Sequence, residues 1–188
     1  MSDTFFISDL HFGHKNILNM SPSRNILGDA LEEQHVSLFY RWNSVLRKND
    51  YVWVLGDVAM GRMAYEACIP QLRGIKRLVR GNHDVLAEEI YRKDFVKIFG
   101  VVNMELFPKC RVVLTHIPIH PQELEFRWKF NIHGHLHEKQ VLIKVAKSEY
   151  TLPFLDLRYI NVSCEQTDFY PLALEDLRLI AKQRLGLS

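Results

Sequence analysis

A chain of 188 residues is long enough to bury one substantial core and too short for two comfortable ones. With 47% hydrophobic residues, 24% charged residues and a formal net charge of +2, it has the balance of a globular protein and lacks the electrostatic footprint of a dedicated nucleic-acid binder. Three widely spaced cysteines, Cys68, Cys110 and Cys164, make no C-x-x-C pair, which points away from a disulfide framework or a thiolate zinc site and toward reduced thiols in a cytoplasm.

The N-terminal stretch MSDTFFISDLH has neither a charged leader nor a long apolar run, so a cytoplasmic protein is expected. No apolar run approaches the length of a membrane span, and no obligate protein partner is evident. Asn161-Val162-Ser163 matches a glycosylation sequon, read here as chance.

Thr4 to Ser8 is a nearly continuous apolar run, as a buried strand should be, and Asp9-Leu10-His11-Phe12-Gly13-His14 ends it in a loop. If Asp9 and His11 stay extended, their side chains share one face. Residues 17 to 28 read as irregular around Ser21-Pro22-Ser23. Asp29 and Glu32 suggest a cap for a helix over Ala30 to Leu46, whose apolar stripe is core. Tyr51 to Leu55 is a second buried strand, closed by Gly56-Asp57. A helix follows from Gly61-Arg62 through Leu72 and is ended by Gly74.

A third strand, Arg77 to Val79, delivers Arg80-Gly81-Asn82-His83-Asp84, with helical potential from Val85. Strand–helix alternation implies right-handed crossovers and a partly parallel sheet. The second half is richer in strands: Val96 to Phe107 around Gly100, Arg111 to Thr115 ending at His116, Phe130 to His133 broken by Gly134, Val141 to Val145, and Tyr159 to Val162. Pro118 and Pro121 place His120 on a loop. Leu172 to Leu185 is an amphipathic helix with late basic residues. Phe126-Arg127-Trp128-Lys129-Phe130 reads as alternating core and surface. With no repeat or linker, residues 1–188 are expected to form a single domain.

Several of these strands end in Asp, Asn or His, and a sheet gathers strand ends; in open α/β sheets ligands bind there. Of nine histidines, eight fall in or beside four segments, with only His35 apart on a helix. Asp9, His11, Asp57, Asn82, His116, His135 and His137 offer seven nitrogen and oxygen ligands without a thiolate. That set is too large for one ion and suits two at a catalytic site, manganese, iron or zinc being compatible. Asp57, alone at its strand end, is the natural bridge.

The five segments Asp9-Leu10-His11, Gly56-Asp57, Gly81-Asn82-His83-Asp84, His116 and Gly134-His135-Leu136-His137 resemble the motifs of the calcineurin-like metallophosphoesterases, in family order. ISDLHFGHKNI and Tyr159-Ile160-Asn161-Val162-Ser163 further resemble small phage and bacterial members. The resemblance implies an α/β sandwich of two mixed β-sheets flanked by helices, and two divalent metal ions, Mn2+ first, with Fe, Zn, Ni or Co as alternatives. It places Asp9, His11 and His137 on one ion and Asn82, His116 and His135 on the other, with Asp57 shared. His83 becomes the catalytic imidazole and Asp84 its partner.

The implied activity is hydrolysis of a phosphate mono- or diester, a nucleotide or oligonucleotide among the substrates, by a water shared between the ions, with His83 assisting the leaving group. His14 and Arg24 are candidate substrate contacts, although a solvated Arg24 is the blander reading. Lys15, Arg77 and Arg80 are further candidate cations for a monoester dianion. The alternatives are a metal-dependent nuclease on single-stranded nucleic acid and, with the motif set complete, less favoured, a non-catalytic scaffold. His133 is left aside, although 133, 135 and 137 would share one face of a strand.

Overall fold

The computed structural model of the chain describes residues 2–143 and 153–187. Four strands rich in β-branched and aromatic residues, β1 (Thr4–Ile7), β2 (Tyr51–Val54), β3 (Ile75–Val79) and β4 (Phe95–Phe99), run parallel. β11 (Leu172–Ala173) pairs antiparallel with β1, giving the order β11-β1-β2-β3-β4. In the second sheet β6 (Cys110–Leu114), β7 (Phe130–His133) and β10 (Tyr159–Asn161) are parallel, and β5 (Val102–Phe107) is antiparallel to β6. A separate ribbon pairs β8 (Leu142–Ile143) with β9 (Phe154–Leu155); the remainder of the strand expected over Val141 to Val145, residues 144–145, lies outside the described residues.

Side-chain alternation makes this a sandwich. Phe5, Ile7, Val52, Val54 and Leu78 point to one side, onto Leu38 and Trp42 of α2 (Leu31–Val45) and Tyr65 of α3 (Arg62–Cys68). Phe6, Trp53, Leu55 and Val79 point the other way, onto Val112, Leu114, Phe130, Ile132 and Ile160 of the second sheet. Leu177 and Ala181 of α6 (Leu174–Arg184) join that layer. Each fully buried large apolar side chain contributes about 1.5–3 kcal/mol, so both faces of the first sheet are strongly specified. On the outer face of the second sheet Val113 and Tyr159 pack with Leu124, and Trp128 leans against them.

Local chemistry explains where the elements depart from expectation. Residues 17 to 28 are not irregular: one helical turn, α1 (Ile17–Met20), leads into a 3-10 turn over Pro22–Leu27, with Pro22 starting that turn rather than breaking it. The cap on α2 is Glu33, not Glu32; its carboxylate accepts the N–H groups of Asp29 and Ala30. α3 passes into a 3-10 turn at Ile69–Gln71, where Pro70 lacks a donor. The helix anticipated from Val85 is only one turn, α4 (Glu88–Tyr91). The Arg80 guanidinium donates to the carbonyls of Asp84 and Leu86 and holds the intervening chain open. Another single turn, α5 (Glu123–Phe126), follows Pro121. Among the described residues no helix is long and apolar enough to cross a membrane.

The two sheets meet at the carboxyl ends of their strands. Ser8 bridges Ser163 in parallel, and the Ser8 hydroxyl donates to the carbonyl of Leu55 at 2.6 Å. The loops after β1, β2, β3, β6 and β7 therefore open onto one edge.

Candidate metal centre

The backbone at that edge is held in an uncommon state. Asp9 (φ 60°), His11 (φ 51°), Asp57 (φ 53°), His135 (φ 70°) and His137 (φ 51°) all lie in the left-handed region. A non-glycine residue pays about 1–3 kcal/mol there, and such strain collects at functional sites. Asp9 and His11 are thus not extended. Their N–H groups donate to the carbonyls of Gly56 and Asp57 at 3.1 and 3.0 Å, which coils the loop after β1 against the loop after β2. Nor do residues 133, 135 and 137 share a strand face. His133 ends β7 fully buried, its Nδ1 2.8 Å from the Gly134 carbonyl, while the chain turns beyond it. Burial pushes the His133 imidazole down to about 4.

Two clusters result. Ligating atoms of Asp9, His11 and His137 lie within 4.8 Å of one another, and so do those of Asp57, His116 and His135. Asp57 Oδ2 stands between them, 3.6 Å from His11 Nε2 and 3.2 Å from His116 Nε2. Asn82 Oδ1 reaches the second cluster at 3.0 Å from His116 Nε2. The imidazoles of His11 and His137 stack at 5.0 Å, and His116 meets His135 edge-on at 5.1 Å. This packing demands glycine nearby: a Cβ on Gly81 would lie 2.2 Å from Asp57 Oδ1, and one on Gly134 would lie 1.9 Å from Ser8 Oγ.

The donors fit divalent cations. Asp9 Oδ1 and both ring nitrogens of His11 are buried without a hydrogen-bond partner among the described residues, an arrangement that costs about 1–3 kcal/mol per group unless an ion satisfies it. His116 Nδ1 lies 2.7 Å from the Leu55 carbonyl, and its Nε2 faces Asp57 Oδ2 at 3.2 Å and Asn82 Oδ1 at 3.0 Å. Nε2 and the two oxygens converge on one point, which a proton on the ring satisfies in the free protein and a cation would occupy when bound. All donors are nitrogen or oxygen, as for manganese, iron or zinc.

The remaining candidates divide. His83 is half-buried beside the clusters, its ring 5.6 Å from that of His11 and its N–H donating to Asp57 Oδ1 at 2.9 Å. Among the described residues Asp84 makes no carboxylate hydrogen bond to the His83 ring. It is buried, and its carboxylate accepts N–H groups of Asp57, Val58 and Gly81; burial pushes its carboxyl up against the pull of those bonds. Asp84 thus ties the backbone of the loop carrying His83 to that of the loop carrying Asp57. His14 stands edge-on to His11 at 5.4 Å, half-buried. His120 is exposed on its loop.

Arg24 is neither solvated nor open to a substrate. It is 1% exposed, and its guanidinium bonds Glu165, the carbonyls of Leu10 and Asp9, and Cys164 Sγ. Arg77 lies over the rings of Tyr51 and Trp53, Arg80 is tied to its own loop, and Lys15 is exposed.

Two residues escaped the sequence reading. Glu165 accepts a hydrogen bond from His137 Nδ1 at 2.8 Å, and although burial pushes its carboxyl up, His137 and Arg24 hold it down to about 2. His35, which stood apart in sequence, accepts the Gly13 N–H at 2.9 Å and so pins the loop carrying His11 and His14. Neither belongs to a recognisable motif; the only hint was that His35 is a polar residue on a helix facing core.

An α/β sandwich thus carries, at its strand ends, two adjacent nitrogen–oxygen clusters that could each hold a metal ion. The family model for calcineurin-like phosphoesterases matches residues 4–179, and the chain belongs to that family of metal-dependent phosphoesterases. It is 32% identical over 173 residues to the Gene 66 protein of Mycobacterium phage L5, covering 76% of this chain and 81% of that one. It is 30% identical over 193 residues to an uncharacterized protein, MJ1445, of Methanocaldococcus jannaschii, covering 98% and 95% respectively. The fold also matches the crystal structure of AQ665 from Aquifex aeolicus, a protein of unknown function, with a TM-score of 0.72 and 24% identity over 96% of this chain and 100% of that one.

Proposed function

We propose that this chain is a dinuclear phosphodiesterase, loaded with two divalent ions, manganese first. The observation carrying this reading is the position of Asp57 Oδ2 between two ligand clusters, one of which contains unpartnered buried donors. Asp9, His11 and His137 would hold one ion and Asn82, His116 and His135 the other, with Asp57 common to both. When bound, two such ions supply an acidified water as nucleophile and a positive field for the phosphoryl oxygens.

The chain's own residues set the rest. His83 is fixed through its N–H to Asp57, and its ring nitrogens bond no other group among the described residues, so the imidazolium is free to pass a proton to the leaving oxygen. General-acid help of this kind is worth about 10²- to 10⁴-fold. Charge favours a diester. Two divalent ions offset by Asp9, Asp57 and an anionic nucleophile leave about one positive charge, which a diester monoanion neutralises. A monoester dianion needs further cations; Arg24, Arg77 and Arg80 are all engaged by other protein groups, which leaves exposed Lys15 as the remaining candidate.

A nuclease acting on single strands is the second reading. Lys109, Arg111, Arg127 and Lys129 line a cleft with Trp128, but Arg111 is the second residue of β6 while His116 lies beyond its end, roughly 16 Å along the strand. That cleft does not border the cation sites. The test is hydrolysis with Mn2+ across mono-, di- and cyclic phosphate esters and short oligonucleotides. Chelator-sensitive cleavage of a diester such as bis(p-nitrophenyl) phosphate, faster than of the monoester, is expected. Metal-independent turnover or a monoester preference would contradict the proposal.

A further inference from the structure

Arg24 and Glu165, 141 residues apart in sequence, form a charge pair at 2.7 Å with side chains 1% and 0% exposed. Removing two charges from water costs several kcal/mol each, and apolar replacements of such pairs are often neutral or stabilising. Stability is therefore a weak reason for this pair. Its contacts supply a better one. Arg24 Nη1 donates to the Leu10 carbonyl at 3.2 Å and Nη2 donates to the Asp9 carbonyl, clamping the strained loop between two expected ligands. Glu165 Oε1, shared with Arg24, accepts His137 Nδ1–H at 2.8 Å.

The pair thus touches the Asp9/His11/His137 cluster at both of its chain segments. In the other cluster no carboxylate among the described residues is hydrogen-bonded to His116 Nδ1, which backs onto a neutral carbonyl, that of Leu55, at 2.7 Å. A carboxylate behind an imidazole fixes the tautomer that leaves Nε2 as the electron-pair donor, and it raises ligand basicity. Arg24 Nε in turn donates to the same Glu165 Oε1 that accepts His137 Nδ1–H, so the guanidinium holds in place the carboxylate that orients His137.

We propose that Arg24 and Glu165 are a buried positioning pair that sets cation affinity at the Asp9/His11/His137 cluster and leaves the Asp57/His116/His135 cluster untouched. This rests on the two-cation reading above. It makes the two positions chemically unequal, with the better supported one built from both ends of the sequence.

The experiment is Mn2+ titration of metal-free protein by calorimetry, with metal content by elemental analysis. Wild type should bind two ions. Glu165→Gln keeps shape and loses charge; one binding step should weaken about 10- to 100-fold while the other is unchanged. The double replacement Arg24→Met with Glu165→Leu, which removes the charges together and is tolerated best by the fold, should weaken the same step, with near-ultraviolet circular dichroism matching wild type. In a His137→Ala background, Glu165→Gln should cost less than it does in wild type, because part of its effect runs through that contact. Equal weakening of both steps, unchanged titrations in folded variants, or an additive loss over His137→Ala would each overturn the positioning role. Wild type that binds no Mn2+ would instead overturn the two-cation reading, and this inference with it.

Discussion

Asp84 accepts the backbone N–H of Asp57 at 2.9 Å, so the carboxylate of one loop sets the conformation of the shared residue on the next. Its other oxygen takes the Val58 N–H at 3.0 Å, and Gly81 donates at 2.8 Å. Asp84→Ala strands these donors in a buried place, which costs about 1–3 kcal/mol for each one left without a partner. Urea unfolding of the metal-free variant should show a lowered midpoint, together with reduced Mn2+ content. Wild-type stability with lost turnover would instead return Asp84 to an orienting role for His83.

In the proposed reading the His83 ring serves the chemistry, while its backbone N–H donates to Asp57 Oδ1 at 2.9 Å. His83→Ala keeps that N–H, and so the bond to Asp57. Turnover should fall about 10²- to 10⁴-fold, with Mn2+ content by elemental analysis equal to wild type. Loss of metal in parallel with activity would show that the imidazole is a ligand.

Acid stability has a separate source. Asp50 is 1% exposed and caps a turn, accepting N–H groups from Asp3 at 2.9 Å and Arg47 at 2.8 Å. Burial pushes its carboxyl up, but these bonds and the charge of Arg47 outweigh that and hold it below the usual 3.8. A depressed folded-state value gives stability that is complete above the unfolded value and lost as pH falls through the folded one. The advantage of wild type over Asp50→Asn in thermal unfolding of metal-free protein should therefore be constant at neutral pH and shrink below pH 3.8. A difference that grows on acidification would contradict this.

The strands were legible because both faces are buried: runs such as Tyr51 to Leu55 or Arg111 to Thr115 need no partner to be recognised. The ligands were legible because sheets bring strand ends together and the residue types are chemically distinctive. What the sequence hid was carried by single long-range contacts. Arg24 in a loop looks like a surface cation until Glu165 is seen beside it. Glu33 rather than Glu32 caps α2 because the reach of a side chain, not its spacing, decides the bond. The left-handed conformations of Asp9 and His11 come from pairing with Gly56 and Asp57, which no local pattern encodes.

Metal analysis of Asp57→Asn against wild type examines the central relationship most directly, since Asp57 Oδ2 stands 3.6 Å from one cluster's His11 and 3.2 Å from the other cluster's His116. The amide keeps the side chain's shape and removes the charge that both clusters share. After loading with Mn2+ and removal of free ion, wild type should retain two ions per chain and Asp57→Asn should be depleted at both positions. Two ions retained by the folded variant would show that the carboxylate is not held in common.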